Sequence, residues 1–276
     1  MFVPSTLPSP VVADAVRRLR AAGCVFAEDE ADLLAEAAAD PRDLSRLVER
    51  RCDGIPLEHL LGWAEFVGLR IAVGPGVFVP RPRSTFLVER AADHAPRSHP
   101  PVVVDLCCGA GGIGAALASL LPGAELHAAD SDPAAVAYAR RNTAPYGGRV
   151  HTGDLYSALP GGLRGRVDLL VVNAPYVPSA EIPLLPPEAR LHEPLPTLDG
   201  GPDGVDVQRR VAACAPAWLA PGGRLLIETS GRQAETTAAA VTDAGLEAAV
   251  ESCEEWDCTV VVGTAPEAPQ VTTSDG

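Results

Sequence analysis

The chain is 276 residues long and 47% hydrophobic, enough for one large or two modest domains with a sizeable core, and not the composition of a disordered protein. Its formal net charge of −14 works against a nucleic-acid backbone as partner, leaving open only a local basic patch. Lysine is absent, which excludes catalytic lysine chemistry, and the 7 cysteines, an odd number without CxxC pairs, read as reduced thiols rather than a disulfide frame or a zinc site.

Met1–Pro10 lacks the basic-then-apolar order of a signal peptide, and a cytoplasmic, monomeric protein away from membranes is expected. From Pro10 to Asp53 the apolar residues recur at helical spacing, with Val16 and Leu19, then Leu33 and Leu34, then Leu44, Leu47 and Val48 after Pro41. Arg17, Arg18 and Arg20 read as a solvated face. Trp63 to Pro80 alternates apolar residues with glycines, a β-hairpin pattern. A helix follows over Thr85–Ala92, and the proline-rich His94–Pro101 reads as a linker. Strands and helices then alternate. Strands are expected at Val102–Cys107, Glu125–Asp130, Gly148–Asp154, Val167–Val172 and Gly223–Thr229, and helices at Gly112–Leu121, Pro133–Asn142, Val205–Leu219 and Gln233–Ala244. Pro175–Pro202 reads as a long proline-rich loop, Leu246–Ser252 and Thr259–Gly263 as a closing antiparallel pair, and everything after Thr264 as a disordered tail. Such alternation means an α/β fold with a mostly parallel sheet covered on both faces. The uncharged run Leu106–Ala124 has membrane-spanning length, but its glycines and proline make it a turn plus a helix.

The centre of this pattern is Val102–Gly114, where a β-branched strand runs into Gly109-Ala-Gly-Gly-Ile-Gly114 and then a helix start. The glycines let backbone approach a ligand, and the helix start offers free N–H groups. Asp130 ends the next strand at a spacing suited to a ribose hydroxyl, a pattern shared by dinucleotide enzymes and methyltransferases. Asp105 separates the two readings. Placed inside the turn of Asp105, Cys107, Gly109 and Gly111, its carboxylate repels a pyrophosphate and welcomes the ammonium of S-adenosylmethionine. Asp154 and Leu155 are candidates for an adenine contact, with Asp154 otherwise a turn cap.

Asn173-Ala-Pro-Tyr176 closes the fourth strand, at the sheet edge where ligands gather. An amide nitrogen is a poor nucleophile because its lone pair is delocalised. If the Asn173 side-chain oxygen and the Ala174 carbonyl accept its N–H bonds, the lone pair can turn toward a sulfonium methyl group. Pro175 would fix the turn and Tyr176 would pack on the planar substrate. Asn173, Pro175 and Tyr176 are therefore the catalytic candidates, with Ala174 in the substrate contact. No metal is required. His59, His127, His151 and His192 are scattered without metal spacing, and Glu188 and Glu193 read as solvated loop acids.

Taken together, Arg50–Gly62, Glu65-Phe66, Val79-Pro-Arg-Pro82, Asp105–Gly114, Glu193-Pro-Leu195 and Leu198–Asp206 make the chain resemble the release-factor (protein) glutamine N5-methyltransferase, HemK-like family over nearly its whole length. The resemblance implies a Rossmann-like class I S-adenosylmethionine-dependent methyltransferase domain with a seven-stranded, mostly parallel sheet at 83–264. It also implies a helical substrate-recognition domain at 1–61 and a β-hairpin connector at 62–82, with 265–276 left as the tail. It places Asp105, Gly109, Gly111, Asp130, Leu155 and Asn173 around the cofactor, and Asn173–Tyr176 on a glutamine of a Gly-Gly-Gln loop. Three departures stand out. Ala174 replaces a proline, Arg83-Ser-Thr85 replaces an acid-threonine-acid run, and Cys107-Cys108 replaces a Gly-Thr pair. The same chemistry on another protein, on a small amide or on an exocyclic base nitrogen is the alternative, followed by an NAD-dependent oxidoreductase and a non-catalytic cofactor binder.

Overall fold

The computed structural model describes residues 9–267. It opens with α1 (Ser9–Ala21), α2 (Ala27–Ala37), α3 (Pro41–Cys52) and the short α4 (Leu57–Leu61). The Asp40 side chain accepts from the Arg42 and Asp43 amides to cap α3, and Pro41 occupies the first turn, where a missing N–H costs nothing. These helices close over a core of their own, built on Leu19, Leu34, Leu44 and Val48, with Ala27 and Ala31 letting the backbones come close.

Next come β1 (Trp63–Phe66) and β2 (Leu69–Ala72), paired antiparallel. The hairpin is shorter than the sequence pattern suggests. Pro75 between Gly74 and Gly76 cannot extend a ladder, so Val77 and Val79 are buried from an irregular segment instead. Asn142 ties this hairpin to the rest, accepting from the Ala72 amide at 2.8 Å and donating to the carbonyls of Ala72 and Ala110.

After α5 (Thr85–Asp93) the main sheet is built from β3 (Val102–Leu106), β4 (Glu125–Asp130), β5 (Arg149–Thr152), β6 (Val167–Val172), β7 (Leu219–Thr229), β8 (Glu247–Cys253) and β9 (Cys258–Thr264). It has 7 strands in the order β5-β4-β3-β6-β7-β9-β8. All neighbouring pairs from β5 to β7 are parallel, and β9 runs antiparallel between β7 and β8, so the closing hairpin sits at the edge with its second strand inward. Strand residues alternate between two cores. Val103, Leu169, Val171 and Leu226 pack with α5 and α6 (Gly112–Leu120), while Val104, Leu170, Val172 and Ile227 pack with α9 (Asp206–Cys214) and α10 (Ala234–Asp243). This is a doubly wound α/β sheet closed by an antiparallel hairpin, the seven-stranded, mostly parallel form expected of this part of the chain.

Two stretches differ from the sequence reading. Pro216 cannot sit inside a continuing helix, so α9 stops at Cys214, a 3-10 turn follows, and β7 begins at Leu219, before Pro221. The presumed loop 175–202 holds a 3-10 turn (Ser179–Leu184), α8 (Pro187–His192) and a second 3-10 turn (Leu195–Thr197). The run from Leu106 to Ala124 folds as a strand end, a turn and α6, and among the described residues no helix is long and apolar enough to cross a membrane. Ala265 still bonds to Gly223, and the expected disorder of 268–276 lies outside the described residues.

Candidate active site

The strand order reverses between β3 and β6, and a cavity of 490 Å³ opens at that end of the sheet. One wall is the glycine turn. Gly109 and Gly111 both have positive φ, and a Cβ on Gly111 would come within 3.0 Å of the Ala139 backbone, so only glycine lets α7 (Pro133–Thr143) pack this close. Cys107 also has a positive φ, of 55°, a conformation that costs a side-chain-bearing residue about 1–2 kcal/mol. The family it resembles carries glycine there. Leu155, which lines the same cavity, has a positive φ as well, of 47°.

Asp130 braces this wall. Its two carboxylate oxygens accept the Gly109 and Asp132 amides at 2.8 and 2.9 Å while the residue lines the cavity. Asp105 is placed differently from the sequence reading. It belongs to β3, not to the turn, because the strand continues to Leu106, and it is fully buried behind the lining residues. One oxygen accepts the Gly114 amide at 2.8 Å, and the other is buried with no partner. Burial pushes the carboxyl up to about 7, against the pull of the Gly114 amide, with Asp130 adding repulsion. An orphaned carboxylate oxygen beneath a glycine turn fits the ammonium end of S-adenosylmethionine. Burial raises both thiols of Cys107 and Cys108, which suits packing groups rather than reactive thiolates.

The second wall is Asn173-Ala-Pro-Tyr176, which leaves β6 and lines the same cavity. The structure thus brings Cys107, Gly109, Asp130, Asp154, Leu155 and Asn173–Tyr176 to one space, with Asp105 and Gly111 supporting it from behind. Asp154 makes no side-chain cap bond. It pairs instead with Arg210 of α9 across the cavity edge.

Several contributors carry no local sequence signal. Ser84 accepts a hydrogen bond from Asn173 Nδ2 at 3.1 Å. Arg83 lies over the Tyr176 ring and 3.4 Å from Glu228, a buried acid of β7. Gln233 donates to the Tyr176 carbonyl at 2.8 Å and to that of Asp203, fixing the tetrapeptide exit. The segment beyond folds back, with Val177 donating to Leu198 and accepting from Gly200. Pro194, Pro196 and Leu198 thereby become cavity lining. Glu193 is no solvated acid. It is buried, takes the Arg81 guanidinium and accepts weakly from the Val79 amide. Glu188 pairs with Arg51 of α3 at 3.0 Å.

Residues 69–183 match the model of the methyltransferase small domain family. The chain is 42% identical over 212 residues to a release factor glutamine methyltransferase of Mycolicibacterium smegmatis, covering 75% of this chain and 74% of that protein. It is 42% identical to the protein of that name from Geobacter sulfurreducens, covering 69% of this chain and 66% of the relative. Among solved structures, a methyltransferase from Pyrococcus furiosus superposes with a TM-score of 0.53 at 16% identity, over 72% of this chain and 90% of its own, a likeness of fold alone. With that degree of identity over three quarters of its length, the chain belongs to the release factor glutamine methyltransferase family, a family of S-adenosylmethionine-dependent enzymes.

Proposed function

We propose that the protein methylates the side-chain amide nitrogen, N5, of a glutamine in a peptide chain release factor, within a Gly-Gly-Gln loop. The observation that carries this reading is the shared cavity, in which the glycine turn and Asn173-Ala-Pro-Tyr176 face one another at the switch point of the sheet. S-adenosylmethionine, when bound, supplies a methyl group on a sulfonium, ready for in-line displacement by nitrogen.

The chain's own residues do the rest. Asp105 would hold the ammonium through its free oxygen, and Cys107, Gly109 and Asp130 would shape the wall along the ribose. Asp154 and Leu155 would bound the adenine end. Asn173 Oδ1 and the Ala174 carbonyl would accept both N–H bonds of the glutamine amide, drawing its lone pair out of conjugation and toward the methyl group. Pro175 narrows the backbone options at this turn, so the loss of a second proline at Ala174 leaves the carbonyl in place. Tyr176, whose phenol burial keeps protonated, offers a flat apolar face. A neutral amide needs no strong base once its N–H groups are engaged, and one proton leaves to solvent after transfer. The helices of 1–61 would help hold the protein substrate, as the resemblance implies.

The test is incubation of the protein with labelled S-adenosylmethionine and release factor, followed by locating the label by mass spectrometry. One added methyl on the loop glutamine is expected. Asn173→Ala is expected to cut transfer by at least about a hundredfold while cofactor binding is largely kept. Label on another protein or on nucleic acid would replace the substrate, and no label anywhere would remove the reading.

A further inference from the structure

Two arginines flank Pro82, and they are engaged differently. Arg81 gives its guanidinium to the buried Glu193. Arg83 lines the cavity at the tetrapeptide, with its guanidinium over the Tyr176 ring and its Nε 3.4 Å from Glu228 Oε1. That approach forms no hydrogen bond, since both Glu228 oxygens stay without a partner. Among the described residues no other acceptor meets the guanidinium, and the Arg83 side chain is 44% exposed. The turn that carries it, Pro82–Ser84, is fastened to the same tetrapeptide by Ser84, whose Oγ lies 3.1 Å from Asn173 Nδ2. A guanidinium at the substrate end of the cavity thus keeps its two outer nitrogens, the Nη pair, unused.

These donors form a flat, permanently charged fork that suits carbonyl or carboxylate oxygens and accepts nothing. Tyr176 sets what would reach them. A glutamine whose amide sits on Asn173 and Ala174 would run past the Tyr176 ring, and about 5 Å of side chain separates its amide nitrogen from its Cα. The Arg83 guanidinium carbon is 5.6 Å from the centre of that ring. The substrate main chain beside the glutamine would therefore pass Arg83. Glycines before the glutamine bring no side-chain oxygen, so the acceptors they offer are peptide carbonyls. The family this chain resembles carries an acid at this position. An ionised acid only accepts, and would take main-chain N–H groups. Arginine reverses which half of the peptide group is read.

We propose that Arg83 is a substrate-binding residue, whose Nη donors grip main-chain carbonyl oxygens of the substrate next to the methylated glutamine. Tyr176 and Glu228 meet the guanidinium through its face and its Nε, which leaves the outer edge for the substrate. The contact is charge-assisted, and so stronger than a bond between neutral groups. It lies a side chain's length from the reacting nitrogen. It therefore holds substrate and transition state alike, and belongs to KM more than to kcat. The exchange of an acid for Arg83 becomes a change in how the substrate loop is held, with the methyl transfer at Asn173 left as it was.

The proposal rests on the amide-methylation reading, and its test separates the two. Turnover on release factor is measured for the native protein and for Arg83→Met, Arg83→Glu and Arg83→Lys. Calorimetry with S-adenosylhomocysteine reports whether the cavity has kept its fold. Methionine keeps an unbranched stem over Tyr176 and has no N–H to donate. Arg83→Met is expected to raise KM for release factor about tenfold to a hundredfold, with kcat and S-adenosylhomocysteine affinity changed by less than about threefold. Arg83→Glu, which returns the family's charge, is expected to raise KM at least as far, because a carboxylate cannot donate. Arg83→Lys keeps a cationic donor without the fork, and its KM is expected between those of the native protein and Arg83→Met. A native KM in Arg83→Met or Arg83→Glu overturns the proposal. So does a loss of kcat or of S-adenosylhomocysteine affinity as large as the change in KM, which would make Arg83 only a support for Tyr176. A native protein that leaves release factor unmethylated overturns the substrate reading and the proposal with it, and that outcome is seen without any variant.

Discussion

Asp105 enters the fold with one oxygen engaged by Gly114 and the other free. Its carboxyl, raised to about 7 by burial, is mostly protonated at mildly acid pH in the ligand-free protein. A ligand ammonium favours the carboxylate, so binding below that value must release a proton, while binding above it need not. Affinity for S-adenosylhomocysteine, which carries the same ammonium, is therefore expected to rise with pH, by up to about tenfold per unit, and to level off above about 7. Calorimetry across this range tests it. Asp105→Asn should flatten the profile, and a flat profile in the native protein would show that the free oxygen does not meet the ammonium. Stability has the opposite sign. An acid whose folded value is raised binds its proton more tightly in the folded state, so the ligand-free fold loses stability as pH climbs from the unfolded carboxyl value toward 7, and loses no more beyond it. At this scale the sequence was readable where a residue's job is local. Gly109, Gly111 and Asn173 announce themselves by spacing. Ser84, Glu228, Gln233 and Arg210 do not, because each acts on a partner far away in the chain. Nothing near Glu228 in the sequence distinguishes it from any other strand acid.

At the scale of elements, the segment from Ser179 to Leu198 connects what the sheet alone would leave apart. Glu188 on α8 reaches Arg51 of the helical part, and Glu193 reaches Arg81 at the hairpin exit. The prolines of this segment then turn it back over the cavity. The period of apolar residues made the strands and helices of the sheet legible, since both cores repeat at fixed intervals. It could not reveal α8 or the 3-10 turns, whose positions are set by ion pairs and backbone bonds to distant elements. It also could not show that Glu193 is buried. The Glu193 carboxyl is raised by burial and held down mainly by Arg81. Removing that partner leaves a buried acid uncompensated. Arg81→Ala is expected to cost roughly 2–3 kcal/mol, less than the ~3–5 kcal/mol of a fully enclosed pair because Arg81 is partly exposed. Chemical denaturation measures the loss. Hydrogen exchange should place it first in residues 194–198, the part that lines the cavity. A change confined to the sheet, with 194–198 unaffected, would mean that the pair does not hold this segment down.

At the scale of the whole molecule, the chain has two separable kinds of core. The sheet is filled from both sides by long aliphatic residues, while the helices α1–α4 enclose a small cluster of their own, rich in alanine. A unit of that size has little apolar surface to spare. Among its fastenings to the rest are the Arg51–Glu188 pair and the bond between the His59 ring and the Val77 carbonyl at 3.0 Å. Leu34, with no exposure, sits in the middle of the helical cluster, and Leu170, equally buried, sits in the sheet. Either leucine cut to alanine should cost about 2–5 kcal/mol locally. The two losses should read out differently if the helices hold the substrate and the sheet holds the cofactor. Leu34→Ala is expected to loosen only the helical unit, raising KM for release factor and leaving affinity for S-adenosylhomocysteine as it was. Leu170→Ala, in the strand that delivers Asn173, should weaken cofactor binding and lower kcat together. Exchange of α1–α3 amides would report the first, and calorimetry with S-adenosylhomocysteine the second. If Leu34→Ala lowered cofactor affinity as far as Leu170→Ala does, the helices and the sheet would be one cooperative body, and substrate holding could not be assigned to the helices alone.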